Sequence, residues 1–257
     1  RDVERSRGLG DVYKRQEAIF CAVRIQDGDA VQAWREHDAL LSEKCEILNK
    51  YQFTELHYEN EAGTDFRVGL VKNHIWEGGS EESGSGVRFI ANMPTEEVFT
   101  MPDYRKAEGK VVSSRPLSYR GNLIKDFSLT FHEGKVVDFD AREGYDALKQ
   151  LLDTDEGSKS LGEVALVPYA SPISEMGILF YNTLFDENAS CHLALGECYP
   201  TTVQDGEKMN EEELHQIGGN HSINHVDFMI GTKDMKITGI TEDGKEIPVF
   251  IDGSWAL

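Results

Sequence analysis

Basic residues are scarce in this chain. Its 257 residues hold 26 Lys and Arg against 46 Asp and Glu, a formal charge of −20. Nucleic acid is thereby disfavoured as a partner, because displacing phosphate counterions takes a basic face. An anionic membrane surface is disfavoured for the same reason. Long apolar runs are absent as well: no stretch approaches the ~20 residues that span a bilayer, and no signal-peptide core opens the sequence. The expectation is a soluble, cytoplasmic protein. Cys21, Cys45, Cys191 and Cys198 are too few and too scattered for a disulfide framework, and none forms a CxxC pair. Buried or idle thiols are expected. Apolar residues, by contrast, make up 39% of the chain, enough for a real core. The length suits one large domain or two small ones.

Arg1 to Gln16, RDVERSRGLGDVYKRQ, carries five basic and three acidic residues and no apolar periodicity. It resembles translated adaptor sequence, so residues 1–16 are set aside as a non-native or disordered leader, with an ordinary flexible tail as the alternative. The absence of an initiator Met suggests the back part of a longer protein.

From Asp29 to about Lys50, Val31, Trp34, Leu41, Cys45 and Leu48 recur as one stripe of an amphipathic helix that Asp29 can cap. If a missing N-terminal domain were its partner, part of that stripe would stay exposed. Short alternating runs follow, such as 66–71 and 123–131, and read as strands. Glu133-Gly134 and Asp243-Gly244 read as hairpin turns. A second helix is expected over Glu143 to Leu152, and Gly79 to Gly86, GSEESGSG, reads as a flexible loop. The architecture expected is α+β: a helical lead-in, residues 17–55, followed by a β-rich domain over 56–257.

Two histidines stand apart from the other six. His192 sits among small and apolar residues, and His225 is followed at i+2 by Asp227. On a strand those two side chains share a face and could grip one cation while Val226 and Phe228 face the core. A plain hydrogen-bonded His and Asp fits the same pattern. Glu96 and Glu97 lie between apolar residues, and Glu163 heads a run that reads as a buried strand. Buried carboxylates are costly unless a cation or hydrogen bonds compensate them. Glu97, Glu163 and Asp227 with neutral His192 and His225 would bring −3 to two divalent ions, and a bridging hydroxide would neutralise the site. A helix cap at Glu163 and a solvated turn at Glu96-Glu97 remain the alternatives.

The segments NMPTEEVFT, SKSLGEVALVPYASPIS, NTLFDENASCHLALGECY and HVDFMIGT, with GTDFRVGL upstream and GSW downstream, resemble the signature segments of the M29 metallo-aminopeptidases. The resemblance runs from Ala18 to Leu257. It implies a dinuclear exopeptidase acting on peptides with a free N-terminus, built from two-domain subunits that form a homodimer. By position it implies Glu97, Glu163, His192, His225 and Asp227 as metal ligands and Tyr199 as a nearby catalytic residue. Zinc or cobalt are the ions expected, with manganese or magnesium as alternatives. Family members are longer at the N-terminus, so residues 17–55 read as a remnant of the N-terminal domain. Glu96 is a candidate general base, a role that needs a bend in the strand because adjacent residues face opposite ways. Tyr199 could donate to the tetrahedral oxyanion. The competing readings are a non-catalytic acidic cation-binding module and another two-metal hydrolase, an amidase or phosphoesterase.

Overall fold

The computed structural model describes residues 2–25 and 28–257, with 2–11 by backbone alone. Two helices come first, α1 (Asp2–Ala22) and α2 (Ala30–Tyr51). The expected leader boundary at Gln16 falls inside α1, whose backbone is helical from Asp2. Its last turns pack Ala18, Ile19 and Ala22 against Ile173, Phe180 and Ala189, and Arg15 donates to the Phe180 carbonyl at 2.9 Å.

Asp29 caps α2 as expected: its Oδ1 accepts from Val31 N at 3.0 Å and Gln32 N at 3.2 Å. At the other end Gln52 turns left-handed, with φ 47°, and stops the helix. Trp34, Leu41, Cys45 and Leu48 are all buried, the last three in the main core, while Val31 is 60% exposed. The expectation of an open stripe is therefore corrected at every position but Val31: the β-domain itself covers the helix. Leu48→Ala is expected to cost about 2–5 kcal/mol, the range for emptying a buried leucine site. Val31→Ala is expected to stay within about 0.5 kcal/mol. Urea denaturation of both variants checks the contrast, and equal losses would show that the stripe is not what docks the helix.

Fifteen strands follow among the described residues: β1 (Glu55–Glu59), β2 (Asp65–Leu70), β3 (Ser80–Glu82), β4 (Arg88–Ile90), β5 (Val98–Thr100), β6 (Pro102–Val112), β7 (Leu117–Tyr119), β8 (Asn122–His132), β9 (Lys135–Glu143), β10 (Leu161–Leu166), β11 (His192–Gly196), β12 (His225–Met229), β13 (Lys236–Ile240), β14 (Glu246–Ile251) and β15 (Ser254–Trp255). Four short helices lie between strands: α3 (Tyr145–Leu152), α4 (Pro172–Met176), α5 (Thr183–Glu187) and α6 (Glu211–Ile217). Nine strands form one sheet, in the order β15-β14-β13-β1-β2-β6-β8-β7 with β9 on β8, and four form a second, β12-β11-β10-β5. Every pairing is antiparallel. Phe66, Phe127 and Leu129 of the large sheet share one core cluster with Val164, Leu193 and Phe228 of the small one.

The expected turn at Glu133-Gly134 joins β8 to β9 with both residues left-handed, at φ 48° and 81°, the pairing that tight hairpins need. Asp243-Gly244 likewise lies between β13 and β14. The expected loop over 79–86 is partly corrected, because Ser80–Glu82 pairs with Arg88–Ile90 and only the tip between them turns. Cys45, Cys191 and Cys198 are buried and Cys21 half-buried, all free. Among the described residues no helix is long and apolar enough to cross a membrane. The fold is α+β, as the sequence indicates.

Candidate metal centre

The four-stranded sheet sets the site by odd–even alternation. Glu163 on β10 stands opposite Ala194 on β11, which stands opposite Asp227 on β12. Residues directly opposite share a face, and so do residues two apart on one strand. His192 and His225 therefore join Glu163 and Asp227. On the far side Ala165 pairs with Phe99 of β5, and Glu97, two residues earlier, comes to the same face. The opposite face carries Val98, Val164, Leu193, Leu195 and Phe228, all buried in the core. Gly196 stands opposite His225 at φ 113°, where a Cβ would meet the Asn224 carbonyl oxygen at 2.1 Å. Glycine is required there, because any side chain would collide with the Asn224 backbone.

The five expected ligands converge. His192 Nε2 lies 3.0 Å from Glu97 Oε2 and 3.5 Å from Glu163 Oε1. His225 Nε2 lies 3.3 Å from Asp227 Oδ1 and 3.7 Å from Glu163 Oε2. Two groups result, Glu97-Glu163-His192 and Glu163-His225-Asp227, with the donor atoms of each within 4.8 Å of one another. Glu163 belongs to both. That spacing suits ions bound at ~2.0–2.2 Å to each donor.

The two imidazoles are held by their other nitrogens. His225 Nδ1 donates to the Glu197 carbonyl at 2.8 Å, and His192 Nδ1 to the Ser190 carbonyl at 3.2 Å. This leaves both Nε2 atoms facing the carboxylates, the orientation that ligating histidines take. His192 Nε2 and Asp227 Oδ1 are buried and have no aligned hydrogen bond despite their close carboxylate and imidazole neighbours. Buried polar atoms are rarely left so, and divalent cations would satisfy them.

Charge is strained in the metal-free site. Burial first, then Asp227 and Glu97, push the Glu163 carboxyl up to about 7. Burial would lower His225, but the Asp227 carboxylate beside it and the nearby Glu163 charge raise it to about 9. His192 is raised well above the ordinary imidazole value, because Glu163 and Glu97 outweigh its own burial. The pair of groups opens onto a cavity of about 370 Å³ also lined by Glu77, Phe99, Tyr199 and Thr201. A larger recess of about 720 Å³ near Tyr104, Lys135 and His215 lies elsewhere. There Lys135 pairs with Glu156, and the Tyr104 hydroxyl lies 2.9 Å from His215 Nε2.

Tyr199 lines the same cavity. Its ring is 4.7 Å from that of His225 and 6.0 Å from that of Phe99, and burial with the Glu163 and Asp227 charges keeps its hydroxyl protonated far above neutrality. Glu96 does not join the cavity. Its carboxylate is gripped by both Arg24 Nη atoms, Nη2 at 2.7 Å, with His37 Nε2 at 3.6 Å, and its backbone N–H donates to Asn188 Oδ1 at 2.6 Å. The bend that a base role for Glu96 requires is replaced by an ion pair to the helical lead-in. Trp76 is buried in the core.

Glu187 escaped the sequence reading. It closes α5 and lines the same cavity as the ligands. Burial, followed by the Asp227 and Glu97 charges, pushes its carboxyl up to about 9. The only signal in the sequence is an acid five residues before His192, which no periodicity marks.

Known proteins resemble this chain over most of its length. The family model described as thermophilic metalloprotease (M29) matches residues 9–255. Aminopeptidase 2 of Geobacillus stearothermophilus is 53% identical over 245 residues, which are 95% of this chain and 59% of that protein. Aminopeptidase AmpS of Bacillus subtilis is 55% identical over 240 residues, 93% of this chain and 58% of that one. The solved structure of wild-type AmpT from Thermus thermophilus superposes with a TM-score of 0.86 at 42% identity, over 94% of this chain and 58% of that chain. The chain thus spans about three-fifths of the length of these relatives. With a match over nearly its whole length, the chain belongs to the M29 metalloprotease family.

Proposed function

We propose that this chain is the metal-bearing part of a dinuclear aminopeptidase that removes N-terminal residues from peptides. The observation that carries the reading is the pair of three-donor groups sharing Glu163 on one sheet face. Glu97, Glu163 and His192 would hold one ion, and Glu163, His225 and Asp227 the other. Two divalent ions, zinc or cobalt by the mixed nitrogen and oxygen donor set, supply a Lewis acid for the scissile carbonyl and bring the pKa of a water toward neutrality. The imidazole donors argue against a calcium-holding module, whose shells are all oxygen. Peptides with a free N-terminus as substrates, a homodimer and a cytoplasmic location complete the proposal, as the family resemblance implies.

The chain's own groups divide the remaining work. Tyr199 presents a protonated hydroxyl beside His225, placed to donate to the oxygen that gains charge as the carbonyl is attacked. The Glu197 and Ser190 carbonyls hold the imidazoles in the ligating orientation. Arg24 and Asn188 fix Glu96 and thereby the backbone that presents Glu97.

The test is metal analysis of the purified chain with an aminoacyl-anilide assay before and after chelation. About two ions per chain, activity lost on chelation and activity restored by zinc or cobalt are expected. Hydrolysis that survives complete metal removal, or cleavage of phosphate esters in place of anilides, would overturn the reading. Tyr199→Phe should keep both ions and lose about 10²-fold in kcat, as loss of an oxyanion donor does. An unchanged kcat would leave the tyrosine as packing for His225.

A further inference from the structure

Glu197 aims His225, and Glu197 is itself aimed. Its carbonyl accepts from His225 Nδ1 at 2.8 Å, its N–H donates to the Asn224 carbonyl at 2.7 Å, and its carboxylate accepts from Ser222 N at 2.5 Å. The place of that carbonyl therefore depends on the turn 222–224 that leads into β12. Strand pairing ends where Gly196 stands opposite His225, so the turn must be held from elsewhere. Asp155, ahead of β10, holds it. Its carboxylate accepts from Ser158 N at 2.8 Å, Ser158 Oγ at 2.7 Å, Ser222 Oγ at 2.8 Å and Ile223 N at 2.7 Å. The two hydroxyls in turn accept from Asn224, Ser222 Oγ from its backbone N–H at 3.0 Å and Ser158 Oγ from its Nδ2 at 2.8 Å. Ser158, Ser222 and Asn224 are all buried.

Donors that converge in this way demand a group that only accepts, and an ionised carboxylate is one. An amide would set its own N–H groups against the N–H of Ile223 or of Ser158. Asn220 adds a second tie, its Nδ2 donating to the Gly196 carbonyl at 2.7 Å and the Gly157 carbonyl at 2.8 Å. Only the ends of the connection 197–224 are caught in this knot. His192 is aimed by the Ser190 carbonyl, at the other end of β11, which none of these hydrogen bonds touches. The knot is thus one-sided. On the reading of this chain as a two-metal enzyme, we propose that Asp155 is a positioning residue: through Ser222 and Asn224 it sets the Glu197 carbonyl that aims His225, and so governs the ion of the Glu163-His225-Asp227 group and not its neighbour. Asp155 itself belongs to neither donor group and does not line the cavity.

Cobalt(II) titration, followed by calorimetry and by the visible absorption of the bound ion, tests this without turnover. The unaltered chain is expected to take two ions. Asp155→Asn and Ser222→Ala should each weaken one of them about tenfold or more, the lower edge of what loss of a group that orients a ligand costs, and leave the other within about twofold. Ser222→Ala removes a single hydroxyl and carries the test alone should Asp155→Asn fail to fold. In a Glu97→Gln background, where the His225 side is the tighter, either substitution should weaken that remaining tight ion. Leu48→Ala, a core variant remote from the knot, should leave both affinities unchanged. Two ions weakened alike, neither weakened, or a loss that falls on the ion Glu97→Gln also weakens would overturn the assignment. So would the same one-sided loss in Leu48→Ala, which would make it a consequence of a loosened fold. An unaltered chain that binds fewer than two cobalt ions would instead bring down the dinuclear reading, and the proposal with it; the count before any substitution tells the two failures apart.

Discussion

Glu163→Gln is expected to lose both metal ions together. The side chain belongs to both donor groups, and an amide of the same shape offers these cations a poorer ligand with no charge. Loss of an outer-shell partner alone costs 10–100-fold in metal affinity, so each ion should bind at least ~10²-fold more weakly and the rate should fall below about 1%. Glu97→Gln should weaken mainly the ion on its own side. Equilibrium dialysis with metal counting on both variants separates these patterns, and a Glu163 variant that keeps one ion at full affinity would refute a shared ligand. Glu96→Gln is the contrast. Its carboxylate faces Arg24 and His37, so both ions and kcat to within about tenfold should remain, whereas removal of a working general base costs ~10²–10⁴-fold. A loss of that size with both ions in place would return the base role to Glu96.

The metal-free chain should become less stable as pH rises from about 6.5 to 9. Glu163 is raised to about 7 and Glu187 to about 9 from an ordinary 4.5, and His225 to about 9 from 6.5. For the two acids, the unfolded chain ionises first, so a penalty on the folded state grows from pH 4.5 up to each folded value. For His225, the stabilisation is complete below 6.5 and is lost as pH passes 9. In both cases the folded chain holds more protons across this window, and stability falls with pH. His37 and His74 are lowered, by burial foremost, and their opposing influence acts below this window. A fall in Tm of at least roughly 5 °C is expected, given ~2–4 °C per kcal/mol for a chain of this size. With zinc bound the cations replace the protons, and the slope should flatten while binding releases protons. Scanning calorimetry of both forms at pH 6.5 and 9 measures the difference; a metal-free Tm that climbs across the window would contradict the account.

The candidate ligands are legible because strand alternation is a local rule. His225 and Asp227 share a face by their spacing alone, and a buried run flags Glu163. Their convergence was not legible from spacing, since it depends on the registers of three pairings and on an irregularity between Leu161 and Glu163; the family resemblance supplied it. The opposite directions of Glu96 and Glu97 follow from extended backbone, but the partner of Glu96 is Arg24, 72 residues earlier. No local pattern links the two. Within residues 17–55, α2 buries Leu41, Cys45 and Leu48 in the same core as the sheets, a contact that no local pattern announces. Amphipathicity reports that a helix has a face to bury and is silent on what covers it. Glu187 ends a five-residue helix too short to show a period.

A metal centre drawn from neighbouring strands also polices the chain's reading frame. One residue inserted in β11 would turn His192 toward the core and bring Leu193 out into the cavity. Two inserted residues would restore the face but carry the imidazole about 6.6 Å along the strand, beyond the reach of either ion. On the proposed reading neither error could be absorbed by a flexible side chain, because donors on β10 and β12 would hold the other coordinates of the same ions. Changes of length are thus confined to the connections, such as residues 197–224 between β11 and β12, and these are free to diverge while the strands they join stay in step.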